Sequence, residues 1–296
     1  MRWSSAILLG AVTTVGAVAP ADAWAAACCV GNTSTVPTRV GECEHWTTGL
    51  GLEAEHTTGQ WDQNGALTQS ALSEDALIST LGAGYRFDRD WQVGLTLPVR
   101  TNRRATTDAL AWGGGPGDLQ LLATWDPVEE RPWTPGGEGS AVPIVTFGVR
   151  APTGTAWDES DNALAEDVTG KPSPALLAGV QFERATHRWP WSVGLATESE
   201  VDDGAVHPAV SWGATAGRYL GTRWSVVSRL TQVASWSRSD SGSAVTLTST
   251  GGLRLVRGAP LSWRGWVGSS ASVPLPGMGI SSARTVSVSA GAVLVR

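Results

Sequence analysis

The chain has 296 residues, a net charge of -6 and a pI near 5.2, and no Lys/Arg run interrupts that acidic balance, which excludes nucleic acid as a partner. Only 16% of residues are charged, and mean hydropathy is -0.05, neither oily nor strongly polar. Sixteen Trp against three Phe and two Tyr is unlike an average globular enzyme. Indole suits a site that is dry on one side and wet on the other, such as a membrane–water interface.

Residues 1–25 read as an export signal. Arg2 supplies a positive start, Ala6 to Ala19 an apolar stretch, and Ala23-Trp24-Ala25 a small-x-small cleavage site. Beyond it no run of about 18 apolar residues occurs, so the sequence offers no transmembrane helix. Residues 26–43 form an N-terminal periplasmic segment carrying Cys28, Cys29 and Cys43. An oxidising compartment allows one disulfide and leaves an odd thiol. Alternatively Cys28 is lipidated after Ala25-Ala26-Ala27, although no branched apolar residue stands three places before it, and Cys29 pairs with Cys43. No second cysteine pair or histidine pair completes a metal ligand set.

From Glu44 to the end, period-2 segments alternate with turns, the mark of antiparallel strands. Trp91, Val93, Leu95, Leu97 and Val99 share one parity, while Gln92, Gly94, Thr96, Pro98 and Arg100 share the other. Near the end, Val286, Val288, Ala290, Ala292 and Leu294 alternate with Ser287, Ser289 and Gly291. Strands are predicted near 44–57, 73–88, 90–101, 117–127, 142–152, 173–186, 189–201, 206–220, 223–236, 244–257, 263–274 and 284–295. That makes about twelve, most of them long enough to cross a bilayer on a tilt.

Connection lengths alternate as well. Tight links at Asp88-Arg89-Asp90, Thr186-His187, Gly221-Thr222 and Gly258-Ala259-Pro260 lie between longer ones at 58–72, 102–116, 153–172 and 275–283. The 128–141 link, rich in Pro, Gly and Glu, is long where the scheme wants a short turn. Short periplasmic turns, longer outer loops and an even strand number define a transmembrane β-barrel of residues 44–296. Trp91, Trp125, Trp189, Trp191, Trp224 and Trp263 fall near its periplasmic end, and Trp61, Trp112, Trp157 and Trp236 near its outer end. A soluble β-sandwich or propeller explains the alternation but not the export signal, long strands and alternating loops together.

With the apolar parity facing lipid, the other parity places Glu53, Glu55, Arg100, Asp118, Gln120, Glu183, Glu198, Glu200, Arg229, Arg254 and Arg264 in the lumen. Opposed charges there either set a transverse field that orients polar solutes or pair and plug a narrow interior. The acidic stretch Asp158-Glu159-Ser160-Asp161-Asn162 with Glu166-Asp167 does not match an EF-hand and reads as a solvated outer loop.

Two motifs, Gly113-Gly114-Gly115-Pro116-Gly117-Asp118-Leu119 and Val149-Arg150-Ala151-Pro152-Thr153-Gly154, resemble those of transporter-like outer-membrane barrels that include the phenol-degradation-associated family. Cys28-Cys29-Val30-Gly31 after the signal is a third echo. The resemblance implies a barrel of open cargo, and the ending Val295-Arg296 departs from the aromatic terminus usual in such barrels.

None of His45, His56, His187 and His207 stands in a strand-borne nucleophile–base arrangement. No Gly-x-Ser-x-Gly elbow, nucleotide loop or dinucleotide fingerprint is present. The sequence therefore implies a passive channel for small solutes that needs no cofactor and has outer-membrane lipid and lipopolysaccharide as its surroundings. A side-chain-filled structural or receptor-like barrel and a lumenal lipid enzyme stand as alternatives, and cargo and oligomeric state are not specified.

Overall fold

The alternation is realised as one antiparallel sheet. The computed structural model describes residues 39–40, 44–61, 67–68, 73–126, 141–184, 191–202, 205–219, 224–239, 242–258, 263–272 and 282–295. The strands are β1 (Trp46–Trp61), β2 (Leu67–Thr68), β3 (Ser73–Arg86), β4 (Trp91–Ala105), β5 (Leu110–Pro116), β6 (Leu119–Trp125) and β7 (Val142–Ala151). They continue as β8 (Ala175–Arg184), β9 (Trp191–Asp202), β10 (Ala205–Tyr219), β11 (Trp224–Ser239), β12 (Gly242–Gly258), β13 (Trp263–Ser272) and β14 (Ser282–Val295). All pairings are antiparallel and, apart from the side segments β2 and β5, follow chain order; β14 pairs back on β1 from Thr47↔Val295 to Trp61↔Ser282, closing the sheet into a barrel. No described helix is long and apolar enough to cross a membrane.

Fourteen strand segments make twelve staves. The two-residue β2 is a flap on β1, and β5 and β6 share one position beside β4. Residues Val99 to Ala105 of β4 pair with β5, and Trp91 to Thr96 pair with β6. Between them the chain leaves the ladder at Pro116–Asp118, opposite Pro98, whose ring nitrogen has no hydrogen to donate. This corrects the expected loop at 102–116. β4 runs on to Ala105, a short turn carries the Thr106 N–H to Ala109 O bond (2.8 Å), and the glycine run is itself a strand. Glycines read as turn signals stand here because another chain segment lies on them, as shown below.

Parity sorts the faces as the bilayer requires. Leu50, Leu52, Leu77, Leu81, Leu95, Val99 and Leu121 point outward and are exposed, whereas Thr80, Gln92, Thr96, Asn102, Arg104, Arg150 and Ser287 are buried inside. Such an apolar belt would be costly in water and is matched by lipid. At the end where the chain enters the barrel, outward aromatics gather in register: Trp46 faces Tyr85, Trp91 faces Trp125, and Phe182 and Trp191 stand close by. Trp112 lies outward at the other end. Residue Trp189 and the side chains of Trp61, Trp157, Trp224, Trp236 and Trp263 lie outside the described residues. The signal at 1–25, Cys28, Cys29, Cys43, His187 and most of the 128–141 link do so too.

Candidate functional site: a lumen closed at two levels

Among the described residues, the charges on the inward face form two layers, and on β4 and β6 to β10 the zone between them is uncharged.

The layer farther from the chain's entry point holds residues 164–171 of the 152–174 loop against the inner wall of the barrel. Asn102 and Arg104 stand at inward positions where β4 rises past the loop. The Asn102 amide donates to the carbonyls of Glu166 (3.0 Å) and Val168 (2.9 Å), and Arg104 donates to those of Leu164 (2.9 Å) and Ala165 (2.5 Å). The loop backbone lies directly on the inner face of β5. A Cβ on Gly113 would come within 2.8 Å of the Glu166 carbonyl carbon, and one on Gly117 within 3.1 Å of Thr169 O. The glycine spacing is thus the seat for the loop.

Asp118 anchors the two ends of the same loop. Its carboxylate accepts from the Gly154 N–H (3.2 Å), the Lys171 N–H (3.0 Å) and Arg150 Nη1 (2.6 Å). Buried Arg150 also donates to Glu198 (3.0 Å) and Glu200 (3.1 Å), and the Lys171 ammonium binds the same two carboxylates. Burial alone would lower the Lys171 pKa, but its bonds to Glu200 and Glu198 outweigh this and raise it above the usual 10.5. On the opposite wall, Arg100 reaches Glu74 (3.2 Å) and Glu55 (3.5 Å), and Glu53 accepts from Ser287 (2.6 Å).

The acidic tip of the 152–174 loop is exposed as its composition suggests, with Asp158, Glu159, Asp161 and Asn162 on the surface, but the segment that follows, from Leu164 to Gly170, is folded against the inner wall. A 3-10 turn at Trp157–Glu159 and a Ser160 hydroxyl bond to Asp167 (2.5 Å) shape the loop, and that bond holds the Asp167 carboxyl below its usual 3.8. Among the described residues no group of three His, Cys, Asp or Glu is arranged to hold a metal.

The second layer lies at the opposite mouth. Here the sequence marks out only Glu183; Arg39, Arg86, Gln92 and Asp126 escape it. Arg39 bridges Asp126 (2.8 Å) and Glu183 (2.6 Å). The wholly buried Val40 donates its N–H to Gln92 Oε1 (2.6 Å), and its carbonyl accepts from Arg86 (2.8 Å). Arg86 and Gln92 also reach Asp126, each at 3.2 Å. Residues 39–40, expected in a periplasmic segment, are therefore inside the barrel mouth. Arg86, inward at the end of β3, and Asp126 just past β6 were the available signal, since such charges need partners where no water is guaranteed.

Between the layers is a cavity of about 410 Å3. Arg39 and Glu198 touch its ends, and its walls are Gln120, Leu122, Thr124, Ile144, Thr146, Leu177, Gln181, Ser192, Ser211 and Thr215, with glycines at 94, 179, 194 and 213. Amides, hydroxyls and aliphatic groups line it, with no ion at mid-height on β4 or β6 to β10.

Of the residues named from sequence, Glu53, Glu55, Arg100, Asp118, Gln120, Glu183, Glu198 and Glu200 lie on the inward side. Arg229, Arg254 and Arg264 pair by backbone with Thr215, Val227 and Val293, and their side chains lie outside the described residues. His207 stands opposite Glu200, and His56 lies on the outward face.

No family model matches the chain, and no curated protein matches it. Solved structures do. An outer-membrane channel from Pseudomonas putida F1 aligns with 90% of this chain and 100% of its own at a TM-score of 0.67 and 12% identity. The β domain of a Bordetella autotransporter aligns with 86% of this chain and 100% of its own at a TM-score of 0.50 and 11% identity. What these likenesses establish is the fold, that of an outer-membrane β-barrel.

Proposed function

We propose that the chain is a passive outer-membrane channel for small uncharged solutes, with the cavity as a waiting chamber between two closures. One observation carries this reading: on β4 and β6 to β10 the described mid-barrel side chains are hydroxyls, amides and aliphatic groups with no charge, while the described lumenal ion pairs gather in the two layers. A neutral solute meets hydrogen-bonding groups without having to leave a counter-ion behind, whereas an ion would lose hydration with nothing to replace it. The similar barrel from Pseudomonas putida F1 is itself a channel, which supports the reading.

A second reading has its own support. Charges within hydrogen-bonding distance of each other, with the loop folded in, also describe a filled structural barrel. Swelling of liposomes carrying the refolded chain separates the two. A channel admits small neutral polyols faster than anions of similar size, and a variant lacking both Arg39 and Arg150 admits them faster still. No permeation even by that folded double variant would overturn the channel.

A further inference from the structure

Among the described residues, the lipid-facing surface carries a polar rung of four side chains. His56, Asp75, Arg103 and Trp112 stand side by side on β1, β3, β4 and β5, each paired in register with the next. All point outward, Trp112 with 64% of its surface exposed. Asp75 accepts from Arg103 Nη1 (2.6 Å) on one side and contacts His56 Nδ1 (2.5 Å) on the other. The Arg103 guanidinium also lies over the Trp112 ring, 5.9 Å from its centroid.

The rung's height identifies its surroundings. Trp46 to His56, and Tyr85 to Asp75, are each ten residues apart along paired strands. Ten residues rising about 3.3 Å each on a tilt of about 40° climb about 25 Å, the height of the apolar band of such barrels. With the aromatic girdle at one boundary, the rung falls on the other, at outer-leaflet headgroup depth. Below it the same strands present Leu50, Leu77, Leu81 and Leu95 to the acyl chains.

From this we infer that the rung binds the phosphate of a phosphorylated glycolipid of the outer leaflet. Asp75 uses one guanidinium nitrogen, and among the described residues no protein acceptor meets Arg103 Nε or Nη2. These two donors form the fork that suits a phosphate. Asp75 is a positioning residue: by holding Nη1 and the imidazole Nδ1, it fixes the planes of both groups. The exposed indole beside them supplies a flat apolar surface for a sugar ring. A plain rim ion pair would need neither the unused fork nor the exposed Trp. The inference does not depend on whether the lumen opens.

Native mass spectrometry of the detergent-solubilised full chain, titrated with diphosphoryl lipid A, tests it. Arg103→Gln should weaken retention about tenfold, the loss of one charge-assisted contact, Arg103→Lys should recover part of it, and Trp112→Ala should weaken it several-fold. Heat-modifiable migration on a gel confirms that each variant is folded. Equal retention by wild type and Arg103→Gln would overturn the site. Equal retention of phosphatidylglycerol and lipid A would overturn the glycolipid assignment.

Discussion

Replacing Arg150 by Leu should release the 152–174 loop while leaving the barrel wall intact. Arg150 is only 4% exposed and Asp118 8%, so their 2.6 Å pair is a buried one. Removing one member of such a pair typically costs about 3–5 kcal/mol, because the remaining charge stays buried. The contacts to Glu198 and Glu200 add less, since those carboxylates are 30% and 25% exposed and Lys171 still reaches them. Taking the lower end, about 3 kcal/mol lowers the ratio of docked to undocked loop by about 150-fold. The loss acts on the loop because Asp118 is also where the Gly154 and Lys171 N–H groups are held. In single-channel recordings from planar bilayers, open probability should therefore rise by about two orders of magnitude. Heat-modifiable migration should be unchanged, since the strand ladder is not touched. A folded Arg150→Leu protein whose open probability stays within about threefold of wild type would refute the argument that this cluster holds the loop.

Other outcomes follow from the same geometry. Gly113→Val places a branched side chain where the Glu166 backbone lies, so the loop should become sensitive to added protease with the barrel still folded; continued protection would contradict the seat assigned to it. Arg39→Ala removes the bridge between Asp126 and Glu183, and conductance should rise on its own and more than additively in combination with Arg150→Leu, because the closures lie in series; strictly additive effects would place both in one closure. Acid should loosen the loop only late. The Asp167 carboxyl is held below 3.8, so its contribution is complete above about that pH and is lost as pH falls through the lowered value. Protease protection should accordingly be flat from pH 7 to 5 and decline below about 3.8. Lys171 acts in the opposite sense: its pKa is raised above 10.5, so its bond to Glu198 and Glu200 persists through neutral pH and weakens only as pH climbs beyond 10.5, which protection measured above that pH would reveal.

The wall was legible because lipid enforces it. Trp91 to Val99 and Val286 to Leu294 alternate so regularly that only one face can meet acyl chains, and inward Glu53, Arg100 and Glu198 follow from the parity. What parity cannot show is how the interior is filled. Asn102 and Arg104 bind backbone carbonyls of the loop, and a carbonyl looks the same behind every side chain. Residues 102–116 suggest a loop because Gly113, Gly114 and Gly115 are turn residues in most contexts. Their other clue, Gly113, Gly115 and Gly117 on one side of a period-2 segment, signals close approach by another backbone. At the lower mouth the partner of Glu183 is Arg39, 144 residues away in sequence, a distance over which no local pattern operates.

The seam between β1 and β14 also sets the order of events when the barrel assembles. Thr47 meets Val295, so this ladder joins the two ends of the sheet and can form only after every intervening strand has been made. Contacts of such long sequence separation form slowly, because the closure entropy of the chain is met before the pairing is gained. Until then two strand edges carry unpaired peptide groups, which the bilayer interior does not tolerate. Loss of β14 should therefore not give a shorter barrel. It should give a chain that fails to enter lipid and offers its edges to other chains instead.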